Sequence, residues 1–203
     1  MRLGYRNVRQ FPWGYKGWQA LTDPGSHNAP VPTGPVEGDL FPQCRLAVLQ
    51  AKKDVSYLEL SPGSSYFSLS DIGGEYVLVA VYNEMCMLCL VELPHINRLF
   101  ELADADGTLK GRIKMLGLGA GSTKRSVARF RKEKGYGLPL FADEKWTVFG
   151  RLGKPTLPVI YLLKKHGDKG LRIMWRHGGA MGKPEDFLAH LKSYMKQDGD
   201  AAR

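Results

Sequence analysis

The sequence predicts an α/β fold, a central mixed sheet flanked by helices, on three observations. The apolar, β-branched-rich run Tyr76–Tyr82 passes directly into helical spacing, with Leu93, Ile96, Leu99 and Phe100 at i, i+3, i+6 and i+7. A second apolar strand, Ile113–Gly119, follows the turn Asp104–Gly107. Two more strand-like runs, 158–163 and 171–176, are separated only by the polar turn Lys165–Gly170, and a hairpin is their simplest pairing.

Taken in order, residues 1–37 read as an irregular arm and linker. Phe11–Trp18 is aromatic and glycine-rich, and Asp23–Pro35 is turn and polyproline chemistry. The aromatic segment either packs on the domain or docks a partner. Residues 38–203 are expected to form one domain. Arg45–Gln50 and Ser56–Leu60 read as short strands of an N-terminal β-hairpin. The strand at 76–82 is followed by a helix from about 86 to 103 and the strand at 113–119. Ser122 or Thr123 can cap the next helix, which ends by Gly135 or Gly137. Its basic cluster, Lys124–Lys134, carries Val127 and Phe130 at helical spacing and reads as an amphipathic surface helix. In the last helix Pro184 sits in the first turn, and Phe187, Leu188, Leu191 and Met195 form an apolar stripe.

Cys86-Met87-Leu88-Cys89 lies where the buried strand hands over to the helix. The first amides of a helix lack intrahelical partners, and their dipoles favour negative charge. A thiolate at Cys86 is stabilised there and becomes a nucleophile, and Cys89, about one turn away, can resolve a mixed disulfide from within the chain. Two other readings stay open. A zinc site needs four ligands, and the third cysteine, Cys44, adds only one. The pair could also be inert core cysteines. Cys44 itself reads as a buried small hydrophobe, with a third redox thiol as the alternative. His95, His166, His177 and His190 read as surface or structural residues.

This neighbourhood resembles the thioredoxin-like superfamily, and within it the thiol-disulfide oxidoreductases of the TlpA/ResA type. Their Cys-x-x-Cys-x-x-Glu-x-Pro pattern is matched by Cys86, Cys89, Glu92 and Pro94. Leu157–Leu163 resembles the segment where a cis-proline opens the next core strand, and Phe67–Glu75 resembles the lead-in to the first core strand of redoxins. The resemblance covers roughly residues 38 to 196. It implies a thioredoxin fold with Cys86 and Cys89 as the redox pair and Glu92 as a carboxylate managing protons at the dithiol. Glu92 could equally be an exposed helix carboxylate. It also implies a cis bond before Pro158, with Pro155 as rival, and substrate contact by Met85 and the backbone of Leu157. The chain departs from the family at two places. Met85 stands where tryptophan is usual, and Ala80 where thioredoxin has a buried aspartate. Peroxiredoxins resemble the stretch Gly135–Asp143, but they place Thr or Ser where this chain has Asn83.

Composition bounds the rest. The 203 residues are 43% hydrophobic, enough for one sizeable core. The net charge of +9 allows nucleic acid, an acidic partner or an anionic surface, but no nucleic-acid motif accompanies it, and none is expected as partner. No stretch reaches the ~20 apolar residues of a membrane span. The start of the chain lacks an apolar signal core. The expected compartment is cytoplasmic for a complete chain and extracytoplasmic if a signal or anchor has been removed. The expected activity is reduction of protein disulfides, with no bound cofactor or metal and with electrons from a dithiol donor protein. The alternatives are a thiol peroxidase, in which Asn83 is the only polar group on offer to polarise peroxide, and a non-catalytic binding module.

Overall fold

A computed structural model describes residues 34–201. At its centre is a five-stranded sheet in which the strands lie in the order 140–143, 113–120, 76–82, 159–165 and 171–178. The strands are β3 (Tyr76–Tyr82), β4 (Ile113–Ala120), β5 (Leu140–Asp143), β6 (Val159–Lys165) and β7 (Leu171–Gly178). β3 pairs parallel with β4, and β4 with β5; β6 runs antiparallel to β3 and to β7. The sheet is therefore mixed, and 159–165 and 171–178 form the expected hairpin.

β3 is buried along its whole length because both of its faces are covered. Tyr76, Leu78, Ala80 and Tyr82 face one cluster, with Cys89, Leu93 and Ile96 of helix α2 (Met87–Ala105) and Phe187, Leu191 and Met195 of helix α5 (Pro184–Ala201). Val77, Val79 and Val81 face the other, with Leu58, Phe67, Phe141 and Val148. Each large apolar side chain fully buried this way contributes about 1.5–3 kcal/mol. The helix α3 (Lys124–Lys134) is capped by Thr123, whose side chain accepts from Ser126 N, and ends on Gly135.

The two-stranded N-terminal sheet is present, but its second strand is not 56–60. β1 (Arg45–Ala47) pairs with β2 (Tyr66–Ser68), and the intervening chain forms helix α1 (Ala51–Leu58). The alternation in Ser56–Leu60 yields to tertiary contacts. Asp54, fully buried, meets the buried guanidinium of Arg131 with Nη1 at 2.8 Å from Oδ1 and 3.1 Å from Oδ2. The Tyr57 hydroxyl accepts the Met115 amide of β4, whose pairing with β5 starts only at Gly117. Arg131 thus leaves the solvated basic face expected of α3 and becomes the partner that holds α1. Two elements, β5 and the short helix α4 (Thr147–Arg151), have no counterpart in the expected element order. Asp143 joins them, its carboxylate accepting from Thr147 N and Phe149 N.

Residues 38–41 lie along the edge of β7. Gly38 N and Phe41 N donate to Ile173 and Leu171 carbonyls, and Ile173 N donates to Asp39 O, each at 2.8 Å. That pairing covers a strand edge that would otherwise be open. Of the arm assigned to residues 1–37, positions 1–33 lie outside the described residues.

Candidate active site

Cys86 is the N-cap of α2. Its Sγ accepts from the backbone amide of Cys89 at 3.3 Å. An amide aimed at the sulfur from a helix N-terminus favours negative charge there. The loop leading to it is pinned by Asn83. The Asn83 side chain donates to Ala120 O at 2.7 Å and accepts from Met85 N at 2.8 Å, while its backbone carbonyl accepts from Cys86 N at 3.1 Å. β3 and β4 end side by side, so this one side chain ties the cysteine loop to the neighbouring strand. Glu84, on the same loop, accepts from the Ser126 hydroxyl at 2.9 Å.

The two cysteines differ in environment. Cys86 is partly exposed, whereas Cys89 is fully buried in the cluster formed by α2 and β3. Burial, reinforced by its contact with Cys86, pushes the Cys89 thiol from 9.0 up to about 12. Both are free thiols.

The Leu157–Pro158 peptide bond is cis, at the entrance to β6. The Leu157 carbonyl lies 3.8 Å from Cys86 Sγ. Met85, Met87 and Val91 are exposed around the cysteines, Met85 most of all at 88%. Glu92 is buried rather than solvated, at 4% exposure. It sits one helical turn beyond Cys89, accepts from the Met181 amide at 3.0 Å and lies 3.8 Å from His95 Nδ1. The structure therefore brings Met85, Cys86, Cys89, Glu92, Leu157 and Pro158 to one end of the sheet.

Cys44 is not part of this group. It packs with the cluster on the opposite face of the sheet and lines a separate cavity of ≈560 Å³ with Arg45, Lys124 and Asp143. Burial and the nearby Asp143 carboxylate push its thiol from 9.0 up to about 12. Met181 escapes sequence reading because it acts through its backbone amide, which any residue except proline supplies. No helix among the described residues is long and apolar enough to cross a membrane.

The chain is similar to several known proteins. The thiol-disulfide oxidoreductase ResA of Geobacillus kaustophilus is 29% identical over 125 residues, covering 62% of this chain and 66% of the relative, just under two thirds of its length. A secreted thiol-disulfide isomerase from Corynebacterium glutamicum superposes with a TM-score of 0.52 at 20% identity, over 73% of this chain and 81% of its own. The exposed lipoprotein thioredoxin Etrx1 of Streptococcus pneumoniae gives 0.50 at 23% identity, over 75% and 99%. These two likenesses establish the thioredoxin fold. Residues 51–168, a stretch that holds both cysteines, Glu92 and Pro158, match the AhpC/TSA family, and the chain belongs to that family.

Proposed function

We propose that this chain is a thiol-disulfide oxidoreductase that reduces protein disulfides. The observation carrying the proposal is the asymmetry of the pair: a partly exposed Cys86 sulfur that accepts from a helix-terminal amide, beside a Cys89 thiol that is fully buried. The similarity to proteins named thiol-disulfide oxidoreductase ResA supports it.

In the first step the Cys86 thiolate attacks one sulfur of the substrate disulfide. A mixed disulfide forms, and one substrate thiolate leaves. In the second step Cys89 gives up its proton and attacks Cys86 Sγ. The mixed bond breaks, the second substrate thiolate leaves, and Cys86–Cys89 becomes a disulfide. The pair has lost two electrons, which a dithiol donor protein returns. Cys89, with its thiol near 12, needs a proton acceptor at neutral pH. Ala80 of β3, at the position where thioredoxin has an aspartate, is apolar and cannot accept a proton. Glu92 is the buried carboxylate on the helix that carries the cysteines, and it takes that role. The Leu157 carbonyl and the exposed Met85 form the wall against which an extended substrate lies.

The peroxidase alternative asks Asn83 to polarise a peroxide. One of its two amide hydrogens goes to Ala120 O and its oxygen accepts from Met85 N, so the side chain is held as a staple of the loop, which argues against that reading.

Trapping tests the proposal. Cys89→Ser should accumulate mixed disulfides with substrate proteins, and Cys86→Ser should accumulate none, because only the resolving thiol releases the covalent intermediate. Equal trapping by both variants removes the assigned roles. Peroxide turnover without disulfide reduction replaces the function altogether.

A further inference from the structure

The loop between β7 and α5, residues 179–183, touches both halves of the site. Gly179 N donates to Pro158 O at 2.9 Å, on the wall beside Cys86. Two residues later Met181 N donates to buried Glu92. The chain makes this short excursion with left-handed turns at Gly179 (φ 84°) and Gly182 (φ 77°), a conformation that favours glycine. Between them Ala180 O is held by His177 Nε2 at 2.8 Å. A carbonyl oxygen can only accept, so Nε2 carries the hydrogen.

The imidazole is itself fixed. It stacks on Trp175 with ring centroids 5.7 Å apart, and Phe187 of α5 meets it edge-on at 5.5 Å. The other titratable ring in this aromatic group, His190, lies against Trp175 at 5.8 Å. Glu92 is faced by His95 on its own helix and by a main-chain amide from the loop. His177 is thus the side chain that grips the loop, and the loop brings Glu92 its backbone donor.

We propose that His177 is a positioning residue for the dithiol. By holding Ala180 O it keeps Met181 N aimed at Glu92 and so fixes the carboxylate that receives the Cys89 proton. The proposal rests on the role given to Glu92 above. It does not require His177 to change charge, since the neutral ring with hydrogen on Nε2 makes the same bond.

The test separates the two steps of the cycle. Wild type, His177→Phe, His177→Gln and Glu92→Gln are mixed with a peptide disulfide under single-turnover conditions from about pH 6 to 9, the range in which imidazole and thiol chemistry titrate. Mixed-disulfide formation reports Cys86; peptide release reports resolution by Cys89. His177→Phe keeps the ring stack and loses the donor. It should slow resolution at pH 7 by about tenfold, the scale of a hydrogen bond to a charged group. It should also move the pH midpoint of resolution in the same direction as Glu92→Gln, while Cys86 attack changes by less than about twofold. His177→Gln keeps a donor and should recover most of the resolving rate. A shifted profile in Glu92→Gln with an unshifted one in His177→Phe overturns the positioning role alone. A wild-type profile in Glu92→Gln overturns the reading of Glu92 and this proposal with it. Equal slowing of both steps in His177→Phe, not relieved in His177→Gln, makes His177 a general packing residue and also overturns the proposal.

Discussion

Alkylation of the fully reduced protein should place its first label on Cys86, and the structure sets how far ahead. Cys44 and Cys89 are both raised from 9.0 to about 12, each chiefly by burial. A rise of three units lowers the thiolate fraction about 1000-fold at any pH below 9. The more basic thiolate is intrinsically more nucleophilic. With a Brønsted slope of about 0.4–0.5, three units return roughly 15–30-fold. Ionisation alone therefore leaves each of these thiols about 30–60-fold slower than an ordinary one at neutral pH. Cys89, fully buried, also needs a local opening before reagent can reach it. The assay is iodoacetamide at pH 7, quenched at a series of times, with each cysteine quantified by peptide mass spectrometry. Labelling of Cys44 and Cys89 should keep rising about tenfold per pH unit well above pH 9 rather than levelling there. If either is labelled ahead of Cys86, or levels off near 9, the electrostatic asymmetry behind the mechanism is wrong.

Three further outcomes follow from the geometry. Asp54→Ala leaves Arg131 buried without its partner and should cost about 3–5 kcal/mol in urea unfolding, whereas Asp54→Leu with Arg131→Met should recover most of that loss; a cost below about 1 kcal/mol would mean the pair is not buried in solution. Asn83→Ala removes two hydrogen bonds from the cysteine loop and should destabilise the fold by about 1–2 kcal/mol while slowing disulfide reduction, and unchanged stability would remove its role as a staple. Alkaline stability has a definite sign. The Cys44 and Cys89 thiols stay neutral in the fold up to about 12 but ionise above 9.0 once unfolded, so their contribution is intact below pH 9 and lost as pH rises from 9 towards 12. Urea midpoints should therefore fall between pH 9 and 10.5, less steeply in Cys44→Ala, and a flat midpoint would refute the shifts.

The sequence by itself carried four strands of the central sheet, β3, β4, β6 and β7, and the cysteine pair, because these are local patterns. A strand buried on two faces has to be a continuous apolar run, and Tyr76–Tyr82 is one. Cys86 and Cys89 are the two ends of one four-residue motif at a strand-to-helix junction, so helix geometry alone places one thiol beside the other. Only the tertiary structure decided the features that join distant segments. Ser56–Leu60 has strand-like alternation, yet residues 51–58 are helical because Asp54 and Tyr57 find Arg131 and the Met115 amide 77 and 58 positions away. The motif register marks Glu92 out in the sequence, but only the loop after β7, folding over it, supplies the Met181 N that holds it. Cys44, which composition alone leaves as a candidate redox thiol, lies across the sheet from the other two. Periodicity reports which side of an element is apolar; it carries no record of which buried polar group meets which, since that depends on how the elements pack.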